Sequence, residues 1–227
     1  MPAPISVIIP TFNAAQTLPA CLAALMVGLE FSVIRDLVVS DGGSDDDTCR
    51  IADAAGAEVV TGPRGRGGQL ARGAAAAKGR WLLLLHADTY LAPGWPNACI
   101  DHINAHGDNV GYFQLAFRAH GTMPRIVARW ANIRSDLFGL PYGDQGLLVS
   151  RETLAQAGGV PDMPLMEDVA LARAFRGRLR RLDCTAHTSA ERYLQEGWIR
   201  RGARNQITLT RYFLGADPKD LASSYRR

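Results

Sequence analysis

Ile34-Arg35-Asp36-Leu37-Val38-Val39-Ser40-Asp41-Gly42-Gly43-Ser44 is the stretch whose reading decides the fold. Its strand-like run, Ile34 to Ser40, stops at once in Asp-Gly-Gly, as a buried strand does when it feeds a tight turn. A helix is expected to open at Ser44, with Asp47 three residues on completing a capping box and Gly56 closing the helix. Outward toward the N-terminus, Ile5 to Pro10 is a second apolar, β-branched strand, and Leu18, Cys21, Leu22, Leu25 and Met26 then recur at helical spacing. Outward toward the C-terminus, Glu58 to Thr61 predicts a third strand and Gly62 to Gly68 a glycine and arginine loop. Gln69 to Lys78 comes next as an alanine-rich helix, and Trp81 to Leu85 as a fourth strand. Strands alternating with helices predict an α/β fold, Rossmann-like, with a mostly parallel central sheet flanked by helices.

The second half repeats the theme less regularly. Pro93 to His106 fits a helix with proline in its first turn, Phe113, Leu115 and Phe117 alternate like a half-exposed strand, and Leu147 to Ser150 predicts another. Ile126, Val127, Trp130, Ile133 and Leu137 form a helical stripe, read as core in preference to a partner-facing surface. Beyond the turn-rich Gly158 to Pro164, Glu167-Asp168 precedes an amphipathic helix with Val169, Leu171 and Phe175. The tail from Arg192 to Arg227 mixes aromatic residues with arginines, the pattern of a solvated helix or of one lying on a membrane surface.

With 227 residues, 47% of them apolar, the chain fits one domain, residues 1–227. A net charge of +3 without a clustered basic face points away from a nucleic-acid partner. Cys21, Cys49, Cys99 and Cys184 are too scattered for a zinc site and read as reduced thiols. Met1-Pro2-Ala3-Pro4 runs straight into a strand without the pattern of a signal peptide, and Trp81 to Leu85 is too short to span a bilayer, so a cytoplasmic protein is expected.

Ligands of an open parallel sheet sit beyond the carboxyl ends of its strands. Here those positions hold Thr11 to Asn13, Asp41, Gly62 to Gly68 and His86 to Asp88. Asp88 follows five apolar strand residues, where an unpaired carboxylate is costly; a cation is an obvious partner, because magnesium or manganese on a diphosphate needs only one or two protein carboxylates. His86 points to the same side, toward the metal or a phosphate, unless it merely packs at the strand end. With Ser44 expected to cap the next helix, Asp41 is left to accept hydrogen bonds from the N–H groups of a base. Arg64, Arg66 and Arg72 among glycines suit phosphates. Glu167 and Asp168 are either helix-capping acids or the source of a general base, and spacing alone does not choose.

These segments together resemble glycosyltransferase family 2. Val7 to Asn13 and Ser40 to Thr48 look like the family's paired nucleotide-binding segments. Gly67 to Asp88 is similar to its arginine helix and Asp-X-Asp motif, and Gly143-Asp144-Gln145-Gly146 and Met166-Glu167-Asp168-Val169 to its acceptor loop and catalytic acid segment. The resemblance implies a GT-A fold with a nucleotide-sugar donor half at about residues 1–106, and an acceptor half with C-terminal helices at about 107–227. It implies transfer from a nucleotide-diphosphate sugar, a UDP-sugar being favoured, to a hydroxyl acceptor it does not identify, with inversion and with Mg2+ or Mn2+. Pro10, Thr11, Asn13, Asp41, Gly67, Arg72, His86, Ala87 and Asp88 would bind the donor; Gly143, Asp144, Gln145 and Glu167 would lie on the acceptor side; Asp168 would be the catalytic base. Asp88 would hold the metal, with His86 and His187 as further candidate ligands, and Ser189 to Tyr193 and Trp198 would shape the acceptor side.

The His-Ala-Asp variant, with Gly-Asp-Gln-Gly and Pro-Leu-Met-Glu-Asp, most resembles a small bacterial subgroup of arsenosugar-biosynthesis or radical-SAM-associated glycosyltransferases. His86 departs from the usual motif by replacing its first aspartate, and the Gln-X-X-Arg-Trp signature of processive members is absent, which implies a non-processive enzyme. Peripheral membrane contact or a homodimer through Val110 to Leu140 stays open. The rival reading is an NAD(P)-binding oxidoreductase using the Gly65/Gly67 loop and Asp88, although Leu70 stands where its third glycine belongs. A non-catalytic nucleotide-sugar-binding module is a third.

Overall fold

In the computed structural model, which describes residues 3–225, β1 (Ile5–Thr11) is buried at all seven positions, as a central parallel strand must be. Met1, Pro2, Arg226 and Arg227, which belong to terminal segments of the sequence reading, lie outside the described residues. After α1 (Leu18–Glu30), β2 (Ile34–Asp41) pairs parallel to β1; after α2 (Thr48–Ala54), β3 (Glu58–Thr61) pairs parallel to β2; after α3 (Arg66–Ala76), β4 (Trp81–Leu84) pairs parallel to the other side of β1. Side chains alternate across β1: Ile5, Val7 and Ile9 pack with α1, whereas Ile8 packs with Val38, Leu70 and Leu82 beneath α3. Gly73 permits that second layer, since a Cβ there would stand 2.4 Å from Ile8 Cγ2.

The chain then departs from simple alternation. It runs through β5 (Thr89–Leu91), α4 (Trp95–Ala105), β6 (Val110–Phe117), α5 (Thr122–Phe138), a single 3-10 turn at Gly143–Gln145 and β7 (Leu147–Ser150). α6 (Arg151–Gln156), α7 (Glu167–Ala174), β8 (Leu179–Thr188), α8 (Glu191–Glu196), α9 (Trp198–Phe213) and α10 (Pro218–Tyr225) complete it. The eight strands of the described residues join one mixed sheet in the order β3-β2-β1-β4-β7-β6-β8-β5, with β7 antiparallel between β4 and β6. β8 runs parallel to β6 and carries β5 antiparallel at the far edge. The result is one α/β domain.

Several expectations are corrected. The second helix opens at Thr48, not Ser44, because the chain first winds round the Asp41 carboxylate: Gly43 N and Ser44 N donate to Oδ2 at 2.8 and 2.7 Å, and Ser44 Oγ to Oδ1 at 2.6 Å. Asp46, one residue before the N-cap Asp47, caps the helix instead by accepting from Thr48 N at 3.0 Å. The glycine loop ends at Gly65, with Gly67 and Gly68 inside α3. Met26 is 54% exposed and outside the buried stripe, which Gly28 extends in its place. β6 is mostly buried, because β7 and β8 flank it and α5 packs on it. α5 turns Ala128, Ala131 and Ser135 inward, so Ile126, Trp130 and Leu137 of the expected core stripe are 54%, 49% and 73% exposed.

Candidate active site

The carboxyl ends of β1 and β4 open on a cleft of about 490 Å³, whose far wall comes from the second half of the chain. Its near wall carries Pro10, Thr11, Asn13, Arg64, Arg66, His86, Ala87 and Asp88. Its far wall carries Tyr142, Gly143, Asp144, Met166, Asp168, Ser189, Arg192 and Tyr193.

Gln69 ties the near wall together. Buried at the start of α3, it donates from Nε2 to Thr11 O at 2.6 Å and Ser40 O at 2.9 Å, and accepts from Gly65 N at 3.1 Å. Nothing local in the sequence singles this residue out; its role exists only once three strand ends meet. Asp41 is buried beside it and accepts from Thr11 Oγ1 at 2.9 Å as well as from Gly43 and Ser44. Burial raises this carboxyl, but the Ser44, Thr11 and Gly43 hydrogen bonds outweigh it and hold it below the ordinary carboxylate range. Its four acceptor positions are filled by the protein, and it stands behind the residues lining the cleft. Arg72 also stands behind them, donating to Pro63 O at 3.0 Å and bracing the turn under Gly62. Gly67 faces away from the cleft, where a Cβ would lie 2.1 Å from Pro161 O, so its lack of a side chain serves packing against the 161–163 segment. Arg64 stacks over Phe12, 3.7 Å from the ring centre, at the mouth.

Contact across the cleft runs through Gly143. Its N–H donates to Asp168 Oδ2 at 2.9 Å, while its α-carbon lies so close to His86 that a Cβ would stand 2.4 Å from Nε2. Gly143 therefore joins Asp168 of the far wall to His86 of the near wall, two residues before Asp88. Met166 holds a left-handed backbone conformation, φ 68°, a strained geometry just ahead of α7, whose second residue, Asp168, lines the cleft. Glu167 points the other way and is buried, its Oε1 2.7 Å from Arg66 Nε. Burial raises the Glu167 carboxyl, Arg66 opposes that and Asp168 adds to it. Gln145 is wholly buried, accepting from Ser135 Oγ at 2.6 Å and donating to Phe113 O at 3.0 Å, so it anchors the turn and does not line the cleft.

His86 is lowered chiefly by burial and next by Arg66, against Asp88 and Asp168, so its ring is neutral at physiological pH and able to ligate a cation or accept a hydrogen bond. Asp144 is pushed up to about 6 by burial; Arg134 and Arg66 pull it down, and Asp168 and Asp88 push it up. Its Oδ1 is buried without a hydrogen-bond partner.

Among the described residues no group of three or more His, Cys, Asp or Glu could by itself hold a metal. His187 lies outside the cleft lining, its ring stacked on Tyr90 at 5.1 Å. The donor set of Asp88 and neutral His86 instead fits a cation completed by diphosphate oxygens and water. The dinucleotide reading lacks its geometry: Asp88 follows β4, which is separated from β3 by β2 and β1, and Gly67 is filled by protein backbone.

Among solved structures, the chain is similar to S. aureus TarS in complex with UDP-GlcNAc, at 17% identity and TM-score 0.63, over 82% of this chain and 58% of that one. It is similar to glucosyl-3-phosphoglycerate synthase from Mycobacterium tuberculosis in complex with Mn2+ and UDP-glucose, at 22% identity and TM-score 0.57, over 82% and 69%. A mycobacterial protein matches at 24% identity and TM-score 0.56, with 65% of its length covered, so the chain spans less than two thirds of some of these proteins. These likenesses establish the fold. No curated protein matches the chain. The sequence pattern of Glycosyl transferase family 2 matches residues 6–143, more than half of the chain and every element of the near wall, so the protein belongs to that family.

Proposed function

We propose that the protein transfers a sugar from a UDP-sugar to an acceptor hydroxyl, with inversion, with help from a divalent cation and without processivity. The observation that carries this reading is the meeting of Asp168 with the Asp88 strand end in one cleft, bridged by Gly143. The UDP-GlcNAc and UDP-glucose bound by the two structural neighbours support uridine as the base.

In the reaction, Asp168 accepts the proton of the acceptor hydroxyl, whose oxygen bonds to the anomeric carbon as the bond from that carbon to the diphosphate oxygen breaks and its electron pair leaves with the nucleotide. Gly143 N–H holds the Asp168 carboxylate in place for that transfer. Asp88 and His86 would hold Mg2+ or Mn2+, which when bound spreads the charge of the departing diphosphate. Pro10, Thr11 and Asn13 border the donor, and base recognition by Asp41 would require one of the hydroxyls of Ser44 and Thr11 that now fill Oδ1 to give way. Arg72 and Gly67 act from behind, by holding the loop, and Gln145 and Glu167 by fixing the segments that carry Asp144 and Asp168. Assignment to the arsenosugar-associated subgroup would rest on the His86-Ala87-Asp88 variant together with Gly143-Asp144-Gln145-Gly146 and Pro164-Leu165-Met166-Glu167-Asp168.

The test is a panel of UDP-sugars with Mn2+, followed as release of UDP, together with calorimetric binding of UDP. Asp168→Asn is expected to abolish transfer and leave UDP affinity within about twofold; full turnover in that variant removes Asp168 from the role.

A further inference from the structure

α5 and α9 leave between them an apolar groove of about 350 Å³ that opens directly off the cleft. Cleft and groove share Phe117, Tyr142, Asp144, Tyr193 and Asn205 in their walls. Three rings mark the junction: Phe117 lies 4.9 Å from Tyr193 and 5.2 Å from Trp198, and Tyr193 stacks on Trp198 at 4.8 Å. Farther out the walls are Val127, Trp130 and Ile199, with Ile199 78% exposed at the rim. Arg134, over the Tyr142 ring at 3.4 Å, Asn205 and Asp144, whose Oδ1 has no hydrogen-bond partner, are the polar residues toward the inner end.

A purely polar acceptor laid along the groove would lose its hydration against the aromatic and aliphatic walls and recover hydrogen bonds only at the few polar positions, Arg134, Asp144, Asn205 and Gln206. An apolar chain or ring gains by the same move, and Asp144 Oδ1 awaits a donor of the kind a hydroxyl supplies. Building on the transferase reading, we propose that the acceptor is an amphiphilic alcohol: its hydroxyl lies between Asp144 and Asp168, and its apolar portion occupies the groove between α5 and α9. The aromatic junction sets the depth at which the polar head stops and the apolar tail begins.

Trp130 and Trp198 line the groove and report its occupancy by their fluorescence. The experiment titrates the protein with hexyl, octyl and decyl β-D-glucoside below their micelle concentrations, and measures UDP with Mn2+ separately by calorimetry. The expected result is affinity rising about fourfold per methylene added until the groove is full. Affinity indifferent to chain length overturns the proposal. Gly202→Leu supplies the control: Gly202 lies in α9 on the groove, a Cβ there meets nothing within 4 Å, and leucine favours the helix, so the variant folds with the groove plugged. It is expected to lose the chain-length dependence and to bind UDP as wild type does. Decyl glucoside bound equally by both proteins, or both proteins binding anionic vesicles while neither responds to the glucosides, assigns the apolar surface to something other than the acceptor and overturns the inference. Should UDP fail to bind while the alkyl series behaves as expected, the donor reading falls and the groove assignment stands.

Discussion

At Gly143 the α-carbon of one wall touches the imidazole of the other, so a single methyl probes how closely the two halves of the site must meet. Gly143→Ala is expected to displace His86 and lower kcat by about 10²-fold or more, as misplacement by an ångström does, while Tm falls by only a few degrees. Equal kcat in the variant would mean that His86 can move freely. Asp144 supplies the pH dependence. Its carboxyl titrates near 3.8 when unfolded and at about 6 when folded, so between these values the folded state holds the extra proton. Stability is therefore lost as pH rises through that window and is level above it. Asp144→Asn, uncharged throughout, should be more stable than wild type by roughly 1–3 kcal/mol at pH 7.5, the upper figure being softened because the residue is only partly buried, and the gain should vanish below pH 4 in urea unfolding. At this scale the sequence was legible where a residue follows a strand: Thr11, Asn13, His86 and Asp88 all reach the cleft. It was opaque where the partner is remote, as for Gln69, or where the side chain turns inward, as for Gln145 and Glu167.

Among the elements, α3 shows how closely a helix can be held. Gly73→Ala would push a Cβ to 2.4 Å from Ile8 Cγ2 in a layer with no slack, and is expected to cost about 1–3 kcal/mol in chemical denaturation in spite of alanine's better helix propensity. A neutral or stabilising effect would show that α3 can lift off β1. The strands that could be read in advance are β1, β2, β3, β4 and β7, which emerge within one residue of their expected limits; β1 and β4 are buried throughout, whereas β3, with no buried residue, was legible from its β-branched pair Val59-Val60 between Gly56 and Gly62. β8, Leu-Arg-Arg-Leu-Asp-Cys-Thr-Ala-His-Thr, has no clean alternation, because β5 covers one part of it and β6 the length of it. β5 is three residues long, too short to carry a period. α5 misleads for a different reason: small residues face its core side, and the large apolar ones border the groove and solvent.

On the scale of the whole molecule, ligand binding should appear as stability. UDP with Mn2+ at a hundredfold excess over its Kd adds about 2.7 kcal/mol to the folded state, which for a domain of this size raises Tm by roughly 5–10 °C. Asp88→Ala is expected to lose most of that shift while keeping the Tm of the unliganded protein within a few degrees. A full shift in the variant would separate nucleotide binding from Asp88.

The sheet order has a consequence for how the chain is made. β7 sits between β4 and β6, and the Thr89 hydroxyl of β5 finds its partner in Thr188, 99 residues later in the chain. During synthesis at about 5–20 residues per second, the nascent β5 waits roughly 5–20 s for β8, and β4 carries an unpaired edge until β7 emerges. The N-terminal part of the sheet thus depends for its folding on strands made after it, and a ribosome that stalls between them leaves an open sheet for chaperones to guard.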